Sequence, residues 1–242
     1  MNDPQTLYDY LFVRLEIGKL LRATYVPLLL TATAMPMAVA FGLILALMRM
    51  SKLRALRWVA VTYIEVMRGT PLFVQLFLVF YSLPMVGQRI FHTSLLTLEP
   101  LPAAIICLAA NYAAYEAEIH RAGLEAVDKG QREAALSIGM SERQTFFKVT
   151  LPQAFRIILP PVINDAIAML KDSCLASAIG VQELLKVSEG IARAKFISEE
   201  MYIAAAIIYM MLSRIFYFLG KWIESKLKAK GGAELQLEKA RH

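Results

Sequence analysis

Windows of roughly 20 residues almost free of formal charge recur along this chain, and they limit what it can fold into more than anything else does. Each is long enough to cross ~30 Å of hydrocarbon as a helix. Inside lipid the backbone N–H and C=O groups have no water to bond, so a spanning segment has to satisfy them itself. Composition agrees: 57% of residues are apolar and 19% charged, against roughly 45–50% and ~25% in soluble domains. The chain reads as an all-α polytopic membrane protein.

Five spans are expected. Span one covers about 23–48; Thr24, Thr31 and Thr33 can bond back to their own helix, and Pro27 and Pro36 predict bends. Arg49, Lys52, Arg54 and Arg57 follow without an acid, which places that connector in the cytoplasm. Span two covers about 58–83 and should kink or break at Arg68-Gly69-Thr70-Pro71. The loop 84–100, with Arg89 and Glu99, faces outside. Span three covers about 101–121. The loop after it holds Arg121, Lys129, Arg132, Arg143 and Lys148 and returns to the cytoplasm. Span four, about 151–170, should be the least regular because of Pro152, Pro160 and Pro161. Residues 171–200 mix acids and bases and should lie outside, partly as a non-spanning helix. Span five covers about 201–222.

The membrane-spanning body is thus 23–222. Residues 1–22 sit on the periplasmic side, and the basic tail 223–242, with Lys226, Lys228 and Lys230, lies in the cytoplasm. The N-terminus is outside and the C-terminus inside. Met1 to Arg22 carries Asp3, Asp9 and Glu16 and lacks the plan of a cleavable signal peptide. The net charge of +6 gathers beside apolar spans, where it sets topology and gives no sign of a nucleic-acid partner. Cys107 and Cys174 have no CxxC or Cys/His spacing and read as buried small hydrophobes, with no metal site.

The polar loop after span three stands out. Glu133-Ala134-Ala135 is a strong helix former, Gly139 supplies a turn, and Ser141-Glu142 starts a second short helix. Two helices across the cytoplasmic face, joined at a glycine, fit a docking surface for a soluble partner. An amphipathic helix lying on the lipid surface is the alternative.

The spacing sharpens this. Three residues separate Ala135 from Gly139, nine separate Gly139 from Val149, and Leu151-Pro152 follows after one more. This resembles the EAA loop of bacterial ABC-transporter permeases, with Val149 in place of Ile. Arg68-Gly69-Thr70-Pro71-Leu72-Phe73-Val74-Gln75-Leu76, Ala117-Glu118-Ile119-His120-Arg121-Ala122-Gly123 and Leu151-Pro152-Gln153-Ala154-Phe155-Arg156 narrow the resemblance to the polar amino acid uptake branch, of the histidine, glutamine, arginine and opine type. Lys171-Asp172-Ser173-Cys174-Leu175 departs from the branch, with Cys174 where a small hydroxyl residue is usual. The resemblance implies a coupling helix within loop 131–152, formed by Glu133, Ala134, Ala135, Gly139, Met140 and Ser141. It also implies an ATP-binding cassette ATPase dimer that carries ATP and Mg, a second permease subunit (the same chain or a paralogue), a periplasmic solute-binding protein, and the bacterial inner membrane.

No Gly-x-x-x-x-Gly-Lys-Ser/Thr occurs, so this chain has no P-loop and energy must come from a partner. Polar residues inside spans are costly and therefore candidates for function. Asn111, Tyr115 and Glu118 share one helical face, and Tyr112 and Glu116 the adjacent stripe. Asn164 and Asp165 lie roughly 20 Å beyond Pro152 at ~1.5 Å per residue. Asp165 and Glu116 could accept an ammonium, and Asn164 and Tyr112 could donate to a carboxylate; pairing with another helix is the alternative for Asp165. Two acids favour a substrate with a positive group. Glu118, Arg121 and Arg68 read as a structural ion pair at similar depth. Gly69, Pro71, Pro152 and Pro160 complete the structural and gating set. Arg214 should snorkel or meet an acid. The competing readings are an ion-driven secondary transporter and a membrane enzyme; the latter is poorly served by His92, His120 and His242, far apart in sequence.

Overall fold

A computed structural model of the protein describes residues 16–94 and 96–239; Asp3, Asp9, most of the segment 1–22 and the end of the tail lie outside the described residues. Among those described, all regular structure is helical. The order is α1 (Tyr25–Met50), α2 (Arg54–Gly69), α3 (Leu72–Phe77), α4 (Leu83–Phe91), α5 (Pro100–Glu125), α6 (Lys129–Ser137), α7 (Glu142–Thr145), α8 (Leu151–Asp172), α9 (Leu184–Lys195) and α10 (Ser198–Lys239). Widened turns at Leu78–Ser82 and Phe146–Thr150 join α3 to α4 and α7 to α8, and a tighter 3-10 segment, Ser173–Ile179, extends α8.

Among the described residues, four stretches are long and apolar enough to cross a membrane: Glu16–Met50, Leu72–Ile90, Glu142–Ile179 and Ser198–Leu227. The expected third span, α5, is not among them, because Asn111, Tyr112, Glu116, Glu118 and His120 interrupt its apolar run. It is instead the central helix. Ala103, Ala104, Leu108, Ala113, Ala114 and Ala117 are buried on it, and α1, α2 and α8 pack around it. A helix shielded by other helices does not need a lipid-like sequence.

Several boundaries differ from expectation. The break in the second apolar segment is complete: α2 ends at Gly69 and helix resumes at Leu72, so the apolar run begins after the break. Residues 84–91, expected in a loop, form α4. And α8 runs unbroken through Pro160 and Pro161. The two prolines are consecutive, so the carbonyls they deprive, of Arg156 and Ile157, fall in a single turn that its neighbours carry. The helix expected to end near residue 222 continues to Lys239.

Small residues set the contacts between helices. A Cβ added at Gly123 would lie 2.2 Å from Ile158 Cγ1, and one at Gly220 2.3 Å from Ile163 Cγ2. With no hydrophobic effect between helices in lipid, this close packing is what holds them. Glu183, 0% exposed, caps α9: its carboxylate accepts from the N–H groups of Leu185 (2.8 Å) and Lys186 (2.7 Å) and from the Tyr209 hydroxyl (2.6 Å). Burial pushes this carboxyl above the usual range, against those three donors, which favour its charged form.

Candidate functional site

The helix break positions a cavity. Pro71 cannot donate, and its ring keeps Thr70 extended, so α2 stops and leaves carbonyls open. Gln75 answers this from the next turn. Its Nε2 donates to Met67 O (2.8 Å), Thr70 Oγ1 (2.7 Å) and Thr70 O (3.2 Å). Asn111 Nδ2 from α5 donates to Gln75 Oε1 (2.9 Å) and Met67 O (3.3 Å). The expected substrate residue Asn111 thus has its amide spent on holding the break open.

Beside the break lies a cavity of about 540 Å³, within the size range of small-molecule sites. Arg68, Gly69, Thr70, Pro71 and Leu72 form one wall, Asn111, Tyr112 and Tyr115 of α5 another, and Asp165, Ala168 and Asp172 of α8 the third. The two aspartates are seven residues apart and so share a helical face, with the small Ala168 between them. Tyr112 Oη donates to Asp172 Oδ2 (2.8 Å), while one oxygen of Asp165 is buried without a partner among the described residues. The Arg68 guanidinium sits 5.3 Å above the Tyr115 ring. The cavity therefore holds two carboxylates on α8 and one guanidinium on α2.

Other expected site residues lie elsewhere. Glu116 is 0% exposed and does not line the cavity; α1 walls it off, with Gly42 so close that a Cβ there would meet the Glu116 Cβ at 2.5 Å. His120 Nε2 lies 3.8 Å from its carboxyl and 3.1 Å from Val39 O. Asn164, next to Asp165, is turned by roughly 100° around α8 and lines a groove against α10 instead. Glu118 pairs with Arg49 of α1 and with Arg121 (2.9 Å); Arg68, expected at that pair, turns into the cavity instead. Asp172 and Gln75 were missed as site residues. The seven-residue offset from Asp165 was the available signal for the first; the second needs the fold.

The loop 131–152 is a second site. Asp128 Oδ1 accepts from Gly130 N (2.7 Å) and caps α6. Gly139 turns the chain at φ +88°, a conformation L side chains resist, and its N–H bonds Leu136 O (3.0 Å) while Met140 N bonds Ala135 O (3.1 Å). Ser141 and Gln144 form a reciprocal capping box that starts α7. Arg132 Nη2 and Glu142 Oε1, 2.5 Å apart, tie the two helices. Ala135 is buried, Glu133 and Ala134 are exposed, and Ile138 at the apex is 81% exposed. Pro152 opens α8 directly behind this unit.

A helical membrane body with a cavity at a broken helix and a folded polar loop on one end defines a transport permease. The chain belongs to the family described as binding-protein-dependent transport system inner membrane component, whose profile matches residues 38–229. It is 43% identical over 193 residues to the L-cystine transport system permease protein TcyB of Bacillus subtilis (strain 168), covering 77% of this chain and 79% of that one. It is 37% identical over 189 residues to the arginine transport system permease protein ArtQ of the same organism, covering 78% and 83%. The crystal structure of an amino acid ABC transporter with histidines is similar at a TM-score of 0.76 and 37% identity, over 91% of this chain and 97% of that chain. An ion-driven secondary transporter is not favoured by this membership.

Proposed function

We propose that this chain is the permease subunit of an ATP-driven importer that carries a polar amino acid or amino acid derivative, cationic or opine-like, across the bacterial inner membrane. The observation that carries the substrate reading is the cavity between Arg68 and the Asp165–Asp172 face of α8. A zwitterion requires an acceptor for its ammonium and a donor for its carboxylate. Asp165 and Asp172 serve the first and Arg68 the second, with Tyr112 and Tyr115 lining the space between. The excess carboxylate favours a substrate with a further positive group.

The cavity abuts a broken helix, the arrangement in which transporters expose backbone at mid-membrane. Movement comes from a partner: the loop from Glu133 to Ser141 docks on an ATPase dimer that holds ATP and Mg, and Pro152 ties that loop to α8. ATP binding rocks α8, and with it Asp165 and Asp172, between inward- and outward-facing states. Five spans with the N-terminus outside, a second permease subunit and a periplasmic binding protein complete the machine.

The experiment is ATP-driven uptake in proteoliposomes holding the whole transporter and its binding protein. With Asp165→Asn, the substrate concentration for half-maximal uptake should rise about tenfold while maximal rate changes less. An unchanged uptake profile across candidate amino acids would remove Asp165 from the site.

A further inference from the structure

We propose that Glu116 and Asp165 hold a single proton between them, which makes Glu116 a positioning residue for the charge that Asp165 presents in the cavity. The proton pair stands on packing; its bearing on a substrate rests on the reading above.

Glu116 sits where three helices close together. On α5 it is one turn from Tyr112, so the two share a face, and Tyr112 lines the cavity together with Asp165 of α8. Helix α1 covers the same place: a Cβ added at Gly42 would lie 3.0 Å from both Ala113 O and Ala117 N. Helices α1 and α8 also pack on each other. Glu116 and Asp165 interact electrostatically across this junction. Both oxygens of Glu116 and one of Asp165 are buried there with no hydrogen-bond partner among the described residues.

The three orphaned atoms are all carboxyl oxygens, which only accept when ionised. The surrounding side chains offer them no donor. His120 Nε2 is beyond hydrogen-bond reach of Glu116 at 3.8 Å, and at 3.1 Å from Val39 O it directs its hydrogen to that carbonyl, which can only accept. Helix α1 has no ionisable side chain between Tyr25 and Arg49, and Arg49 pairs with Glu118. From α2, Tyr63 donates to Ala110 O (2.8 Å) and Arg68 lies over Tyr115. Helix α3 has no ionisable side chain. On α8, Asp172 takes the Tyr112 hydroxyl and Lys171 lines the groove toward α10. A proton on one carboxyl turns an acceptor into a donor. It also removes the repulsion between two buried charges that no neighbouring cation offsets.

The consequence falls on the cavity. Glu116 is closed off from it and Asp165 lines it. With the proton on Glu116, Asp165 is ionised and free to accept an ammonium group. With the proton on Asp165, that acceptor is cancelled. Moving it from one to the other breaks one O–H bond and forms another, so the site keeps its net charge. Glu116 is thus the proton acceptor that lets Asp165 meet a cation as a carboxylate.

The test is infrared spectroscopy of the whole purified transporter in lipid nanodiscs, with no substrate added. A protonated carboxyl has a carbonyl stretch that a carboxylate lacks. Glu183 is also enclosed, so the band is read from the difference between wild type and Glu116→Gln. A protonated-carboxyl band is expected in wild type at neutral pH and is expected to vanish in Glu116→Gln. Asp165→Asn removes the neighbouring charge and should lower the pH at which the band disappears by about one unit or more. If the glutamine variant does not assemble, Glu116→Asp replaces it, and its band is expected at a changed frequency. Absence of the difference band, an unchanged frequency in Glu116→Asp, or an unmoved pH midpoint in Asp165→Asn each overturns the proton pair and leaves the permease reading standing. A moved midpoint with unchanged uptake by Asp165→Asn keeps the pair but overturns its positioning role.

Discussion

Asp165 and Asp172 face one cavity because seven residues bring a helix almost round to the same side. Asn164, adjacent in sequence, faces away for the same reason. Grouping Asn164 with Asp165 on adjacency overlooks the roughly 100° of rotation between neighbouring residues of a helix, and the uptake experiment with Asp165→Asn isolates the aspartate alone. Glu183 offers a different prediction. Glu183→Ala removes the cap of α9 and the acceptor of the half-buried Tyr209 hydroxyl, and should cost about 1–3 kcal/mol. Thermal unfolding in detergent should show a lower midpoint, while uptake per folded molecule is kept. The sequence could not announce this contact, since residues 183 and 209 meet only through packing of α9 on α10.

Helices α6 and α7 are legible in the amino-acid sequence because their signals are local: a helix former, a glycine at a left-handed turn, and Ser141 followed by Gln144. Gly139→Asp keeps the loop short but forces a side chain into φ +88° and places a carboxylate at the apex. It should abolish ATP-driven uptake while the protein remains in the membrane fraction; normal coupled transport would sink the docking assignment. Close packing makes a second prediction. Gly123→Val should destabilise by about 1–3 kcal/mol through its clash with Ile158, and Ile158→Ala should recover part of the loss. If the second change adds to the damage instead, the α5–α8 contact is not at that register. The α8 prolines point the wrong way when read locally, because helix continuity there depends on neighbours that propensity does not see.

For the molecule in its membrane, orientation is the open quantity, and it has a direct check. Cysteine placed at Ser94 should react with an impermeant thiol reagent from outside intact cells, and cysteine at Ser137 only after the membrane is opened. The reverse pattern would invert the topology. The two positions flank α5, the expected third span, which is not among the stretches apolar enough to cross by composition alone. What the sequence determined by itself was everything encoded over a turn or two: apolar lengths, the break at Pro71, the coupling-loop spacing and the motifs that mark the family. Tertiary structure decided which polar residues share a space. Helix facing and interhelical register brought Arg68 to the cavity and shut Glu116 out of it. Such choices depend on which side of each helix meets its neighbour, and that is a property of the packed bundle.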